Sequence, residues 1–287
     1  MKIFIASHKD YDFPTSEIYI PIQVGSSINN KIIGVSHDDV GDNISGKNPY
    51  FCELTALYWM WKNCNENIIG LVHYRRYFSS KNKQLSIAGH NIISHDELLE
   101  LMNDTDIILP TKKEFQLEYK NVFYQYKAGH YIKDLLSVRD IIEKRHKDYL
   151  ESFDKIMSQN SLYICNMFIA RKHYIDSYCE WLFDILFSLE KTISLNGYSQ
   201  HQKRVFGFLS ERLFNVWLEK NKTEIRYKNM EVINIEDLSR GRENSISKKH
   251  SPLVILKKIK LKISYHFENN LRRLKNRIYL FNNKRSI

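Results

Sequence analysis

No uninterrupted apolar stretch in this 287-residue chain approaches the roughly 20 residues that a membrane-spanning helix needs. Met1 runs straight into Lys2-Ile3-Phe4-Ile5-Ala6, with no charged leader ahead of a long apolar segment, so no signal peptide is expected. Cysteine is scarce. Cys52, Cys64, Cys165 and Cys179 form no Cys-x-x-Cys pair and no Cys/His spacing of the zinc type. They read as reduced core residues, which suits a cytosolic compartment. Internal repeats and low-complexity tracts are absent.

What is present suits one large globular domain or two small ones: hydrophobic residues make up 43% and aromatic residues 13%, enough for a sizeable core. The formal charge of +10 is unevenly placed. Residues 242–287 hold 13 of the 43 Lys/Arg and 2 of the 33 Asp/Glu, which leaves 30 and 31 in the first 241 residues. A neutral body therefore carries a basic tail, and the high pI of 9.2 says nothing about the body's ligand.

Along the chain, Lys2–Ala6 predicts a first strand with the polar loop Ser7-His8-Lys9-Asp10 behind it. Ile32-Ile33-Gly34-Val35 predicts a short strand, followed by a polar loop from His37 to Lys47. Asn48 as N-cap and Pro49 at the first helical position open a helix, whose apolar stripe is Leu54, Leu57, Tyr58 and Trp61. Ile68–Val72 is a buried strand. This alternation points to an α/β sheet with right-handed crossovers. Ser94-His95-Asp96-Glu97 matches a capping box, Asp106–Pro110 another strand, and residues 118–158 are helical in character. Leu162–Ala170 is strand-like but interrupted by Asn166. Helices over Ile175–Leu189 and Gly207–Glu219 follow, and Glu224–Asn234 ends the sheet. We divide the chain into a catalytic domain over 1–238, a polar linker over 239–251 and a tail over 252–287. In that tail Leu256, Ile259, Ile263, Phe267, Leu271, Leu274, Ile278 and Phe281 recur at helical spacing among lysines and arginines. This basic amphipathic helix or helix pair is of the kind that lies on an anionic membrane surface. A coiled-coil seam, a helix docked on the body and a nucleic-acid-binding face are the alternatives. The neutral body argues against nucleic acid.

The strand 68–72 ends in His73-Tyr74-Arg75-Arg76-Tyr77. Open α/β sheets bind ligands outside the carboxyl ends of their strands, and a guanidinium pair there suits a phosphate or carboxylate. The plainer reading is that Arg75 and Arg76 begin a solvated loop. We assign His73, Tyr74, Arg75 and Arg76 to a donor diphosphate, and His8, Asp42, Asn43 and Lys47 to a nucleotide or sugar pocket. Glu211, beside Arg212, is the candidate catalytic base, with Asp38 and Asp39 next. His130, beside Gly129, and Asn166, a polar break in an apolar strand, are candidate acceptor contacts. For a divalent metal (Mn or Mg), the pairs Asp10-Tyr11-Asp12 and Asp104-Thr105-Asp106 are weak signals, and the second precedes its strand and so faces the wrong edge. No metal ligand is assigned. Fixed cations at His73–Arg76 neutralise a departing diphosphate as a metal would.

Ten blocks carry a resemblance: Ile5–Lys9, Tyr19–Gly25, Gly41–Ser45, Lys47-Asn48, Glu53–Trp59, Gly70–Phe78, Asp106–Pro110, Asn166–Ile169, Tyr178–Phe183 and Gly207–Leu213. With these the chain resembles, over about residues 1–220, a bacterial family long labelled only as a domain of unknown function. That family is encoded in capsule, exopolysaccharide and O-antigen gene clusters and grouped with galactofuranosyltransferases. The resemblance implies a GT-A-like glycosyltransferase fold, a mixed, mostly parallel sheet flanked by helices. It also implies a UDP-sugar donor such as UDP-galactofuranose, and a lipid-linked glycan acceptor at the inner face of the plasma membrane. The competing class is a non-catalytic glycan-binding or assembly protein of the same machinery.

Overall fold

The computed structural model describes residues 1–115, 119–236 and 270–283. Its central sheet has nine strands: β1 (Lys2–Ser7), β2 (Tyr19–Gln23), β3 (Ser36–His37), β4 (Ile68–His73), β5 (Arg76–Phe78), β6 (Ile107–Pro110), β7 (Phe168–Arg171), β8 (Tyr227–Met230) and β9 (Val232–Asn234). β1 sends Ile3 and Ile5 to one face and Phe4 and Ala6 to the other, the two-residue period of a strand covered on both sides. It pairs in parallel with β2 and β4, and β2 pairs in parallel with β3. β7 lies antiparallel between β4 and β6, and β8 continues beyond β6 in parallel. β5 turns back antiparallel on β4, and β9 pairs antiparallel with β5.

Among the described residues, eight helices besides the one over 270–282 lie against the two faces. They are α1 (Asn48–Phe51), α2 (Leu54–Asn63), α3 (His95–Asp104), α4 (Val122–Gly129), α5 (Ile132–Arg145), α6 (Leu150–Ser158), α7 (Lys172–Glu190) and α8 (Val205–Lys220). α3 packs Leu98 and Met102 onto the face that holds Ile3 and Ile5. The other helices cover the face that holds Phe4, Leu71 and Phe168. At the sheet centre Gly70 is required by space: a Cβ there would lie 2.9 Å from Ile169 Cγ1 and 3.1 Å from the Phe168 carbonyl oxygen.

The mixed α/β architecture is the one expected from the alternation of elements. Ser94 caps α3 by accepting from the Glu97 amide. Three local expectations change. Ile32–Val35 is not a strand: the Ile32 amide donates to Gln23 Oε1, Gly34 turns the chain at φ +81°, and the edge strand begins at Ser36. The helix expected from Asn48 breaks into α1 and α2 at Cys52, whose φ is +55°. Lys47, not Asn48, is its N-cap, and Asn48 is already helical. The Asn48 side chain instead bridges the break, donating to the Cys52 carbonyl at 2.8 Å. The strand-like run 162–170 is likewise cut by Cys165 (φ +77°) and Asn166 (φ +48°), so that β7 starts only at Phe168. The linker 239–251 and tail residues 252–269 lie outside the described residues. A helix over 270–282 is described.

Candidate functional site

The register fixes which ends meet. Ala6 pairs with His73, Ser7 with Gln23 and Phe168 with Leu71. The carboxyl ends of β1, β2 and β4 therefore share a rim with the segment entering β7. At that rim lies a cavity of about 590 Å³. His8, His73, Tyr74, Arg75 and Arg76 line it, together with Asn48, Cys52, Glu53, Cys165, Arg204 and Glu211.

Arg75 Nη1 donates to Glu236 Oε2 at 2.8 Å, and Lys9 Nζ approaches the same carboxylate at 3.8 Å. Arg76 opens β5 opposite His73 and forms no ion pair among the described residues. Tyr74 is flanked edge-on by His8 at 5.4 Å and Tyr11 at 5.1 Å. Burial lowers the pKa of His8, and Lys9, Arg75 and Arg204 lower it further, so its imidazole is neutral near pH 7. His73 Nε2 donates to the Cys165 carbonyl at 2.5 Å and so ties the β4 end to the turn before β7.

Two carboxylates also line the cavity. Glu211, on α8, accepts from the Cys165 amide at 2.8 Å and from Arg212 Nη1 at 2.8 Å. Its side chain keeps 21% of its surface exposed, which leaves it reachable from the cavity. Burial raises its pKa against the pull of Arg212. Glu53 accepts from Asn166 Nδ2 at 2.7 Å, and the same amide group donates to Ser210 Oγ at 2.9 Å. Arg204 Nε donates to Cys52 Sγ at 3.1 Å. Burial pushes the Cys52 and Cys165 thiols up to about 11, so neither is a ready nucleophile. Cys52, Cys165 and Asn166 all have positive φ and all border this cavity or its wall. Such backbone costs on the order of 1 kcal/mol or more per residue and concentrates at functional sites.

Of the residues singled out from sequence, His8, His73, Tyr74, Arg75, Arg76 and Glu211 come together here, with Asn166 directly behind Glu53. The others do not reach the cavity. Asp38 is fully buried and accepts from the Gly25 and Ser26 amides and from Ser45 Oγ. Asp39 pairs with Lys31. Asp42 and Asn43 belong to a loop held on α2 through Tyr58 and Asn63. Lys47 pairs with Glu190 at 2.6 Å. His130 is stacked on Phe208 at 4.1 Å with a ring nitrogen 3.3 Å from Gln202 Oε1, and burial drives its pKa well down.

Among the described residues no group of three or more His, Cys, Asp or Glu side chains is placed to hold a metal ion. Asp10 and Asp12 line a separate cleft beside Tyr11. Asp106 is structural: the Arg226 guanidinium holds its carboxyl down to about 2, and Arg171 also pairs with it. Glu53 and Arg204 also line the cavity but carry no local sequence signal, save that Glu53 stands just ahead of the apolar helix stripe of Leu54 and Leu57.

Among solved structures the chain is similar to WbbM, described as a bifunctional glycosyltransferase in its apo form, with 34% identity and a TM-score of 0.74. The match covers 81% of this chain but 45% of that one, so the chain spans less than half the length of that protein. No curated protein matches the chain. A family model matches residues 2–222, which hold every residue lining the cavity, and the chain belongs to that family, described as a domain of unknown function, DUF4422.

Proposed function

We propose that the chain is a GT-A-like glycosyltransferase of capsule, exopolysaccharide or O-antigen synthesis. It moves a hexose from a UDP-sugar to a lipid-linked glycan at the inner face of the plasma membrane, with inversion at the anomeric carbon. UDP-galactofuranose is the first donor to test. The observation that carries this reading is a rim cavity lined by Arg75 and Arg76 and also by Glu211. The 34% identity to a bifunctional glycosyltransferase supports it.

In this reading the two guanidiniums hold the donor diphosphate and meet the charge that grows on it as the sugar–oxygen bond breaks. His8, neutral, and Tyr74 contact the nucleoside without adding charge. Glu211 takes the proton from the acceptor hydroxyl as its oxygen attacks the anomeric carbon. Its raised pKa makes it a stronger base than an exposed carboxylate, and Arg212 and the Cys165 amide fix its orientation. Glu53, Asn166 and Arg204 are left to position the acceptor and the turn before β7.

The test is release of UDP from a panel of UDP-sugars, with and without lipid-linked acceptor. Arg75→Ala and Arg76→Ala together should lower kcat/KM by about 100-fold or more, as expected for losing two charge-assisted contacts in the transition state. Donor binding without transfer to any native acceptor would favour the non-catalytic class. Repeating the assay with EDTA, then with Mn or Mg, measures any contribution of a divalent cation.

A further inference from the structure

Helix 270–282 is docked the wrong way round for a helix that simply completes the core. Its two fully buried side chains are polar, while Tyr279 and Leu280 pack against the core partly buried. Arg272, 4% exposed, donates to the Ala128 carbonyl. Asn276, 2% exposed, donates to the Lys127 and His130 carbonyls at 3.1 and 2.9 Å and accepts from the Ile132 amide at 3.0 Å. The carbonyls of Lys127 and Ala128 lie in the last turn of α4, and the Ile132 amide begins α5. These are groups that helix ends leave unsatisfied. Two polar side chains of the tail thus cap one helix and start the next.

The apolar stripe faces outward as a result. Leu271, Leu274, Ile278 and Phe281 are 41%, 53%, 50% and 83% exposed, and among the described residues nothing covers them. Beside the stripe, between this helix and α4, lies a cleft of about 370 Å³. Lys120, Lys127, Arg273 and Arg277 line it, with the rings of Tyr119 and Tyr124, and no carboxylate is among the lining residues. None of these four cations forms an ion pair among the described residues. Lys120 and Lys127 both lie over the Tyr124 ring, at 5.8 and 5.6 Å.

We propose that helix 270–282 and its cationic cleft form a docking surface for an anionic phospholipid bilayer. The apolar stripe enters the acyl boundary while the cleft takes lipid phosphates, the division of labour of an interfacial helix. A second copy of the chain fits poorly, because a two-fold contact over the stripe would bring the same four cations against themselves. A nucleic acid would leave the stripe in water. The surface uses none of the cavity residues, so it stands or falls apart from glycosyl transfer.

The test is co-sedimentation of the full chain with vesicles of phosphatidylglycerol and phosphatidylethanolamine, and with vesicles of phosphatidylcholine alone. The anionic vesicles should bind the protein at least 10-fold better, and added salt should weaken the binding. Ile278→Glu with Phe281→Glu should lower it by 10-fold or more, with the circular dichroism spectrum and the melting temperature unchanged. Lys127→Glu with Arg277→Glu should abolish the preference for anionic lipid. Equal binding of the wild type to both vesicles, or stripe variants that bind as the wild type does, would overturn the proposal. So would a wild-type dimer that Ile278→Glu converts to monomer without loss of vesicle binding.

Discussion

Glu211 is the residue on which catalysis turns in this account. Glu211→Gln keeps the size and one acceptor but removes the base. Turnover should fall by about 10²–10⁴-fold, while the affinity for UDP, measured by calorimetry, stays within about threefold. Because burial raises the Glu211 pKa, activity should fail on acidification at a pH above the ordinary carboxylate range. A pH–rate profile checks this. A second buried carboxyl gives a stability prediction. Asp134, 2% exposed, is pushed up to about 7 from 3.8 by burial, although Tyr198 donates to both its oxygens. The folded state therefore binds this proton more tightly than the unfolded state, and stability falls as pH rises from about 4 to about 7. Asp134→Asn should remove that fall, adding about 2–4 kcal/mol at pH 8 and little at pH 4, as read by thermal melts across pH. At this scale the sequence exposed Arg75, Arg76 and His8, because polar groups just past an apolar run announce a strand end. Glu53 and Arg204 stayed hidden because they reach the cavity from segments about 150 residues apart, and nothing local marks that meeting. Lys47 was legible as a cation, but its partner Glu190 was not.

Among the elements, the strands and long helices were readable wherever periodicity and capping agreed, as in β1, β4, α3 and α7. The breaks were not. Cys52, Cys165 and Asn166 turn the chain through positive φ without a glycine or proline to signal it. Tertiary contacts hold them: Asn48 on the Cys52 carbonyl, His73 on the Cys165 carbonyl. The misplaced strand at Ile32–Val35 has the same cause, since the Gln23 side chain takes an amide that the ladder would have used. The sheet centre yields a sharper test. Gly70→Val would drive two methyl groups toward Ile169 and the Phe168 carbonyl, and overpacking of this kind costs about 1–3 kcal/mol. Denaturant unfolding should show that loss, whereas Gly129→Ala, where an added Cβ meets nothing within 4 Å, should stay within about 1 kcal/mol.

At the scale of the whole molecule, a neutral body and a basic tail are divided by chemistry as they are by charge. In the body Arg75, Arg76 and Arg204 line one rim cavity; on helix 270–282 Arg272 is buried, whereas Arg273 and Arg277 line the outer cleft. Glycosyl transfer as proposed requires that Arg75 and Arg76 receive a nucleoside diphosphate. Isothermal titration calorimetry of UDP and of uridine, on the wild type and on the variant carrying Arg75→Ala and Arg76→Ala, tests it most directly. UDP should bind the wild type at least 30-fold more tightly than the variant, in line with about 2 kcal/mol or more from charge-assisted pairing, with uridine weak and unchanged in both. Equal UDP affinity in the two proteins would contradict it.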